Sequence, residues 1–164
     1  MPDAQQVLAA RPGSGEARGS AVALAGELRR CAELGWALED DARRSSSDTD
    51  LARIKRRIDE NNGVRSRFVG RLDHWSSFHV HQVGTARLHT ESFGTLVDRL
   101  VIAGLRAERL SGHCRHDAAE DGRDHAATLQ RDQLARAYDD LLGEVAGGRV
   151  RFPAWQPLKQ YGGR

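Results

Sequence analysis

Three segments of the chain place carboxylates, guanidiniums and amides at spacings that could bind an anion or move a proton. In Trp36-Ala37-Leu38-Glu39-Asp40-Asp41-Ala42-Arg43, Glu39 and Arg43 are four apart and share one helix face. As an isolated surface pair they contribute only about 0.3–0.5 kcal/mol. In the second segment, Asn61 and Arg65 interrupt the apolar series Leu51, Ile54, Ile58, Phe68, Leu72 and Trp75, which steps by threes and fours. A guanidinium on a buried stripe needs a partner, because an unpaired buried charge costs several kcal/mol, to order of magnitude. That partner is either a carboxylate in a structural ion pair or a ligand in a polar cavity, and both readings stand. The third segment is Asp98-Arg99. Adjacent helical residues point about 100° apart, so at most one of the two faces the core. Asp98 meeting Arg65, or Arg99 meeting Glu39, would make a charged network able to shift pKa values and hold an anionic substrate.

Other polar clusters are less specific. Arg53, Lys55, Arg56 and Arg57, followed by Asp59, Glu60 and Asn62, form a basic helical run that is the best argument for nucleic-acid binding. No nucleic-acid motif accompanies the run and the net charge is only +2, so nucleic acid is not the expected partner. His113-Cys114-Arg115-His116-Asp117 and Asp124-His125 hold zinc-ligand types without an established zinc spacing, so no metal is assigned and a polar surface loop is expected. No phosphate-binding glycine loop, Gly-x-Ser-x-Gly elbow or His-Glu-x-x-His box is present.

These residues need a framework, and 164 residues suffice for one domain with a real core. No run of about 18 apolar residues spans a membrane, and the start of the chain lacks an apolar signal segment, so a cytoplasmic location is expected. Cys31 and Cys114 make no disulfide framework. Lys55 and Lys159 are the only lysines, and the rest of the 25 basic residues are arginines. Codon bias in a GC-rich genome accounts for that excess, and so would anion recognition by forked guanidiniums.

The pattern predicts an all-α protein, an antiparallel bundle of four main helices. Residues 1–18 read as a disordered leader and 19–164 as a single helical domain. The first helix runs from Ser20 to Arg44 with Leu24, Leu28, Cys31, Leu34 and Leu38 on one face. Ser45-Ser46-Ser47 breaks it and Asp48 is the expected cap of the second. Residues 76–88 read as a loop. The third helix begins at Thr90 or Ser92 and buries Phe93, Leu96, Val97, Leu100, Val101 and Leu105, with Gly94 and Gly104 suggesting close helix approach. A polar loop is expected over 111–124. The fourth helix, His125–Ala146, packs Leu129, Leu134, Tyr138, Leu141 and Val145, and Gly147-Gly148 stops it. Phe152 to Tyr161 reads as an extended tail.

Three of these segments, in this order, resemble a bacterial family known as a domain of unknown function. Trp36, Glu39, Asp40, Ala42 and Arg43 fit its first block. Ile54, Lys55, Arg56, Ile58, Asp59 and Asn62, with Arg65 behind, fit the second. Glu91, Gly94, Leu96, Val97, Asp98, Arg99 and Leu100 fit the third, and Lys159 and Tyr161 the tail. Ala37 departs from the pattern, standing where many relatives are expected to carry a histidine. Members occur beside sugar-transfer genes and in natural-product clusters. In the latter setting the chain looks like the smaller subunit of the two-protein enzymes that form the aziridine ring in azinomycin- and vazabitide-type pathways.

That resemblance implies a heterodimer and an intramolecular attack of an amine on the neighbouring carbon with loss of sulfate. The substrate would be a sulfated amine, free or on an amino-group carrier protein, and no cofactor, metal or membrane is implied. Glu39, Asp40 or Asp98 would serve the amine. Arg43, Arg65 or Arg99, with Lys55 and Asn62, would serve the sulfate. Two other classes remain open: a non-catalytic helical partner that stabilises another enzyme, and a basic helical nucleic-acid module.

Overall fold

The computed structural model of the chain describes residues 1–13, 19–113 and 118–153, with backbone alone over 112–113 and 118–121. The chain is all-α, as its periodicity predicts. Helix α1 is Ala4–Ala9, α2 Ala21–Arg44, α3 Asp48–His79, α4 Phe93–His113 and α5 Ala118–Ala146. Two short strands, β1 at Arg87–Leu88 and β2 at Val150–Arg151, pair in parallel with Arg87 opposite Val150.

Local chemistry sets the ends. Ser20 caps α2, its Oγ accepting from the Ala23 amide at 3.1 Å. Ser47, one residue before the expected Asp48, caps α3 through the Asp50 amide. Asp48 and Asp50 then fall in the first turn, where carboxylates oppose the positive end of the helix dipole. Ser92 caps α4, its Oγ accepting from the Thr95 amide at 3.3 Å. Gly148 follows α5 with φ +69°, a left-handed conformation that glycine adopts without a Cβ penalty.

Helix α4 is the most apolar of the long helices and packs against α1, α2, α3 and α5. Its Phe93, Val97, Leu100, Val101 and Leu105 are buried with Leu24 and Leu28 of α2, Leu72 of α3 and Val145 of α5. Each such side chain contributes roughly 1.5–3 kcal/mol by leaving water. Helix α4 runs back along α3: Gly94 lies against Val69 and Asp73, and Asp98, one turn on, meets Arg65. At the far end Gly104 faces Leu8 of α1, where a Cβ would sit 2.6 Å from Leu8 Cδ2.

The leader is not featureless. Asp3 and Gln6 form a reciprocal capping box that starts α1, and Val7 is buried in the core. The Ala4 amide donates to Asp139 of α5 at 2.8 Å, and Tyr138 Oη donates to the Pro2 carbonyl. A six-residue helix is too short to show periodicity, and its stability comes from this docking. Within the expected loop over 111–124, residues 111–113 and 118–124 are helical, since α4 continues to His113 and α5 starts at Ala118, while 114–117 lie outside the described residues. Polar residues and Gly122 suggested a break, but alanine-rich sequence sustains helix and Gly122 has open space around it. Helix α3 likewise extends through His79. Leu129, expected in the core, is 45% exposed. Of the tail, Phe152 is buried, while residues 154–164 lie outside the described residues. Among the described residues no helix is long and apolar enough to cross a membrane.

A methyl group at position 94 would run into the Val69 carbonyl, which belongs to the α3 backbone and cannot swing away. Gly94→Ala is therefore expected to destabilise by about 1–3 kcal/mol or more through overpacking. Gly70→Ala, on α3 with nothing within 4 Å, is expected to stabilise by roughly 0.5–1 kcal/mol. Urea unfolding of the two variants checks the opposite signs.

Candidate functional site

Where α2, α3 and α4 meet, the polar members of the α3 seam find partners. Arg65 forks onto Asp98: Nε donates to Oδ1 and Nη2 to Oδ2, both at 2.6 Å. Two parallel charge-assisted bonds fix the guanidinium plane. The Arg65 side chain is 30% exposed and that of Asp98 18%, so solvent reaches the pair. One turn earlier on α3, Asn61 is buried and donates from Nδ2 to the Cys31 carbonyl of α2 at 2.8 Å. Gly35 leaves room for that amide, its place for a Cβ lying 3.3 Å from Asn61 Nδ2. The Cys31 thiol is free and buried, and burial raises its pKa despite the nearby cationic Arg30 and Arg65.

The other expected site residues do not join this pair. Arg99 turns to a different face of α4 and pairs with Glu91 at 3.0 Å, so it does not meet Glu39 across the bundle. The roughly 100° between neighbours on a helix requires that separation from Asp98. Asp40 takes Arg43 Nη1 at 2.9 Å and Arg109 Nη1 at 3.5 Å, and the Arg109 guanidinium also lies 4.7 Å over the Trp36 ring. Glu39, Lys55 and Asn62 are exposed on α2 and α3, as is Ala37. In the basic run Arg53 pairs with Asp50 at 2.9 Å, while Arg56 and Arg57 are exposed. No group of three or more metal-ligand side chains converges among the described residues, and residues 114–117 of the histidine-cysteine segment lie outside them.

Two charged centres escape a reading confined to the apolar seam. Arg29 on α2 is buried; its Nη1 donates to Glu108 Oε1 of α4 at 3.1 Å, Nη2 to Glu108 Oε2, and Nε to Glu33 at 3.0 Å. Arg11, just after α1, approaches Glu108 at 3.6 Å. The bond to Arg29 holds the Glu108 carboxyl below the ordinary range. The available signal was Arg29 itself, one residue past the buried Leu28, with Glu33 one turn on. The second centre is Asp73, whose Oδ1 accepts the Gly94 amide at 2.6 Å at the start of α4, while Oδ2 is buried without a partner among the described residues. Burial raises its pKa even though the Gly94 amide and the nearby Ser92 hydroxyl pull the other way.

The segments that carry Trp36 to Arg43, Ile54 to Arg65 and Glu91 to Leu100 all fall in one matched span. A family model described as protein of unknown function (DUF4254) matches residues 22–154. The chain belongs to the DUF4254 family. This DUF4254 span contains the Arg65–Asp98 pair and the Arg29–Glu108 pair, whereas α1 precedes it and Lys159 and Tyr161 follow it. No curated protein and no solved structure matches the chain.

Glu108→Ala strands a buried guanidinium with Glu33 alone, and a loss of about 3 kcal/mol is expected. Arg29→Met leaves a half-exposed Glu108 that water and Arg11 can solvate, so a smaller loss, about 1 kcal/mol, is expected. Denaturant unfolding of both variants measures the asymmetry. For Asp73 the raised folded pKa means that stability present below the ordinary value of 3.8 is lost as pH rises through the folded value. Asp73→Asn keeps the acceptor for Gly94 and removes that titration. The wild type is expected to lose stability relative to this variant from about pH 4 upward, levelling once Asp73 is ionised.

Proposed function

We propose that this chain is one subunit of a two-protein enzyme of natural-product biosynthesis that closes an aziridine ring by expelling sulfate. The supporting observation is the Arg65–Asp98 pair, bidentate, cross-helical and reachable by solvent. A β-amino sulfate ester is a zwitterion and complements such a pair: its sulfate takes the Arg65 fork and its ammonium takes Asp98. The substrate enters by partner exchange, each charge leaving one opposite charge for another.

The chemistry then has defined roles. Asp98 takes one ammonium proton, which frees the nitrogen lone pair. That pair attacks the neighbouring carbon; the N–C bond forms as the C–O bond breaks, and sulfate leaves with the bonding electrons. The aziridinium formed gives its extra proton to water. Arg65 meets the charge growing on the leaving sulfate, where preorganised donors contribute most. Holding the two ends apart on Arg65 and Asp98 favours the anti arrangement that displacement needs. The second subunit covers the site and excludes water, and an amino-group carrier protein is a compatible bearer of the substrate.

A non-catalytic role as a helical partner is favoured by a different observation. Asp40, Asp98, Arg43, Arg65 and Arg99 are already paired within the chain, and apolar side chains line the α2–α3 hairpin without being fully buried. Leu34 is 39% exposed, and Leu51, Ile54 and Ile58 are half-buried. Sulfate release separates the two readings when this chain is reconstituted with the larger subunit and an amino sulfate substrate. Arg65→Lys and Asp98→Asn are each expected to cut turnover on the order of 10²-fold with the complex retained. The exchanged pair Arg65→Asp with Asp98→Arg should keep the folding contact and lose turnover. Undiminished sulfate release from all three would leave the scaffold role.

A further inference from the structure

We infer that a second site, the cleft between α4 and α5 beneath β1, binds a small organic anion with an apolar body. This inference is independent of the aziridine reading and concerns the opposite side of α4 from Asp98. The cleft has a volume of about 410 Å³, within the range of small-molecule sites. Its floor is built by helical spacing: Leu96 and Leu100 lie four apart on α4, Leu134 and Leu141 seven apart on α5. Tyr138 adds its ring but not its hydroxyl, because Oη donates to the Pro2 carbonyl at 3.1 Å. The floor therefore offers an apolar surface with no polar atom of Tyr138 turned toward a ligand.

Charge is confined to one end. Arg87 of β1, Arg99 of α4, His89 and Glu91 stand at the lining, two guanidiniums against one carboxylate. Arg99 is held by Glu91 at 3.0 Å, yet remains 57% exposed; Arg87 touches Glu144 only at 3.5 Å and is 71% exposed. Both forks keep donors for another acceptor. His89 is fixed through Nδ1, which lies 3.1 Å from the Glu91 amide, and its ring edge rests on Phe152. Fixing Nδ1 leaves Nε2 as the remaining polar atom of the ring. The short β1–β2 pairing sets Arg87 over the cleft, with the Arg87 amide donating to the Arg149 carbonyl at 3.1 Å. Glu144 is shared with Arg149 at 3.7 Å, so this end holds Arg87, Arg99 and Arg149 against Glu91 and Glu144, and an apolar floor with that excess of one positive charge selects an amphipathic monoanion. A hydrocarbon carboxylate and an alkyl phosphate or sulfate ester share that chemistry, since each meets guanidinium bidentately.

The full chain, titrated with octanoate, octyl phosphate, octanol and octylamine while amide NMR signals are followed, tests the inference. One or both anions are expected to shift signals of α4 and α5 around Leu100 and Leu134, and the tighter of them identifies the head group. Octanol and octylamine should bind at least about tenfold more weakly, the factor that one charge-assisted contact of 1.4 kcal/mol supplies. Arg87→Glu with Arg99→Glu, both exposed positions, should abolish the anion shifts and leave the remaining spectrum intact. Leu141→Glu, on the half-exposed floor, should abolish them independently. Equal binding of octanol or octylamine, shifts that map away from the cleft, or anion binding that survives the double arginine variant would overturn the inference.

Discussion

Helix α4 has 21 residues, about 31 Å of helix, in which to contact four other helices. Large side chains on every face would hold all four at the same wide separation. The sequence avoids this by using no side chain at two close approaches, Gly94 against the α3 backbone and Gly104 against the Leu8 side chain of α1. The approach at Gly94 has a consequence one turn later. Asp98 reaches Arg65 at 2.6 Å because the helices are already close, and a separation wider by a methyl group would open both bonds beyond hydrogen-bonding range. The Gly94 amide also meets Asp73, so the same close approach caps the start of α4 with a carboxylate from α3. Packing and polar chemistry at this junction are one constraint.

The two forked arginines share chemistry and differ in surroundings. Arg29 has an 8% exposed side chain and two carboxylates, so its removal from water is compensated on three nitrogens. Its guanidinium is buried between α2 and α4, while Glu33 and Glu108 keep their outer sides in water. Arg65 has a single carboxylate among the described residues and a 30% exposed side chain. A pair in that position is held by weaker net forces, since water competes for both ends. Arg29 therefore fits a fixed structural tie and Arg65 an exchangeable one, and accessibility separates them where residue type does not.

Much of this was legible in the sequence, and the limits have physical causes. Helices α2, α3 and α4 announce themselves by apolar steps of three and four, and Arg65 on the α3 seam implied a buried-side partner. The partner proved to be Asp98, one of two neighbours that the helical angle separates. Helix α1 gave no periodic signal in six residues; only the Asp3–Gln6 capping box marked it, and its stability is tertiary. The polar residues at 111–113 and 118–124 misled because a helix and a loop rich in polar residues can share one composition. Arg29 was missed because it flanks the apolar stripe, and a long side chain can turn inward from there. Two-residue strands such as β1 and β2 lie below any pattern that alternation can reveal.

Partial exposure of the Arg65–Asp98 pair also bears on why such chemistry would need two proteins. In the free chain water screens the pair, and a bound zwitterion would gain little over the contacts it replaces. Covering the junction changes that balance. With water excluded, the attraction of guanidinium for sulfate and of carboxylate for ammonium strengthens as the local dielectric falls, and charge developing on the departing sulfate is met by a donor already in place. A second subunit seated on the half-buried apolar side chains of the α2–α3 hairpin would supply that cover by hydrophobic burial. On the proposed reading, association and catalysis are linked because the same surface burial that joins the subunits dries the site.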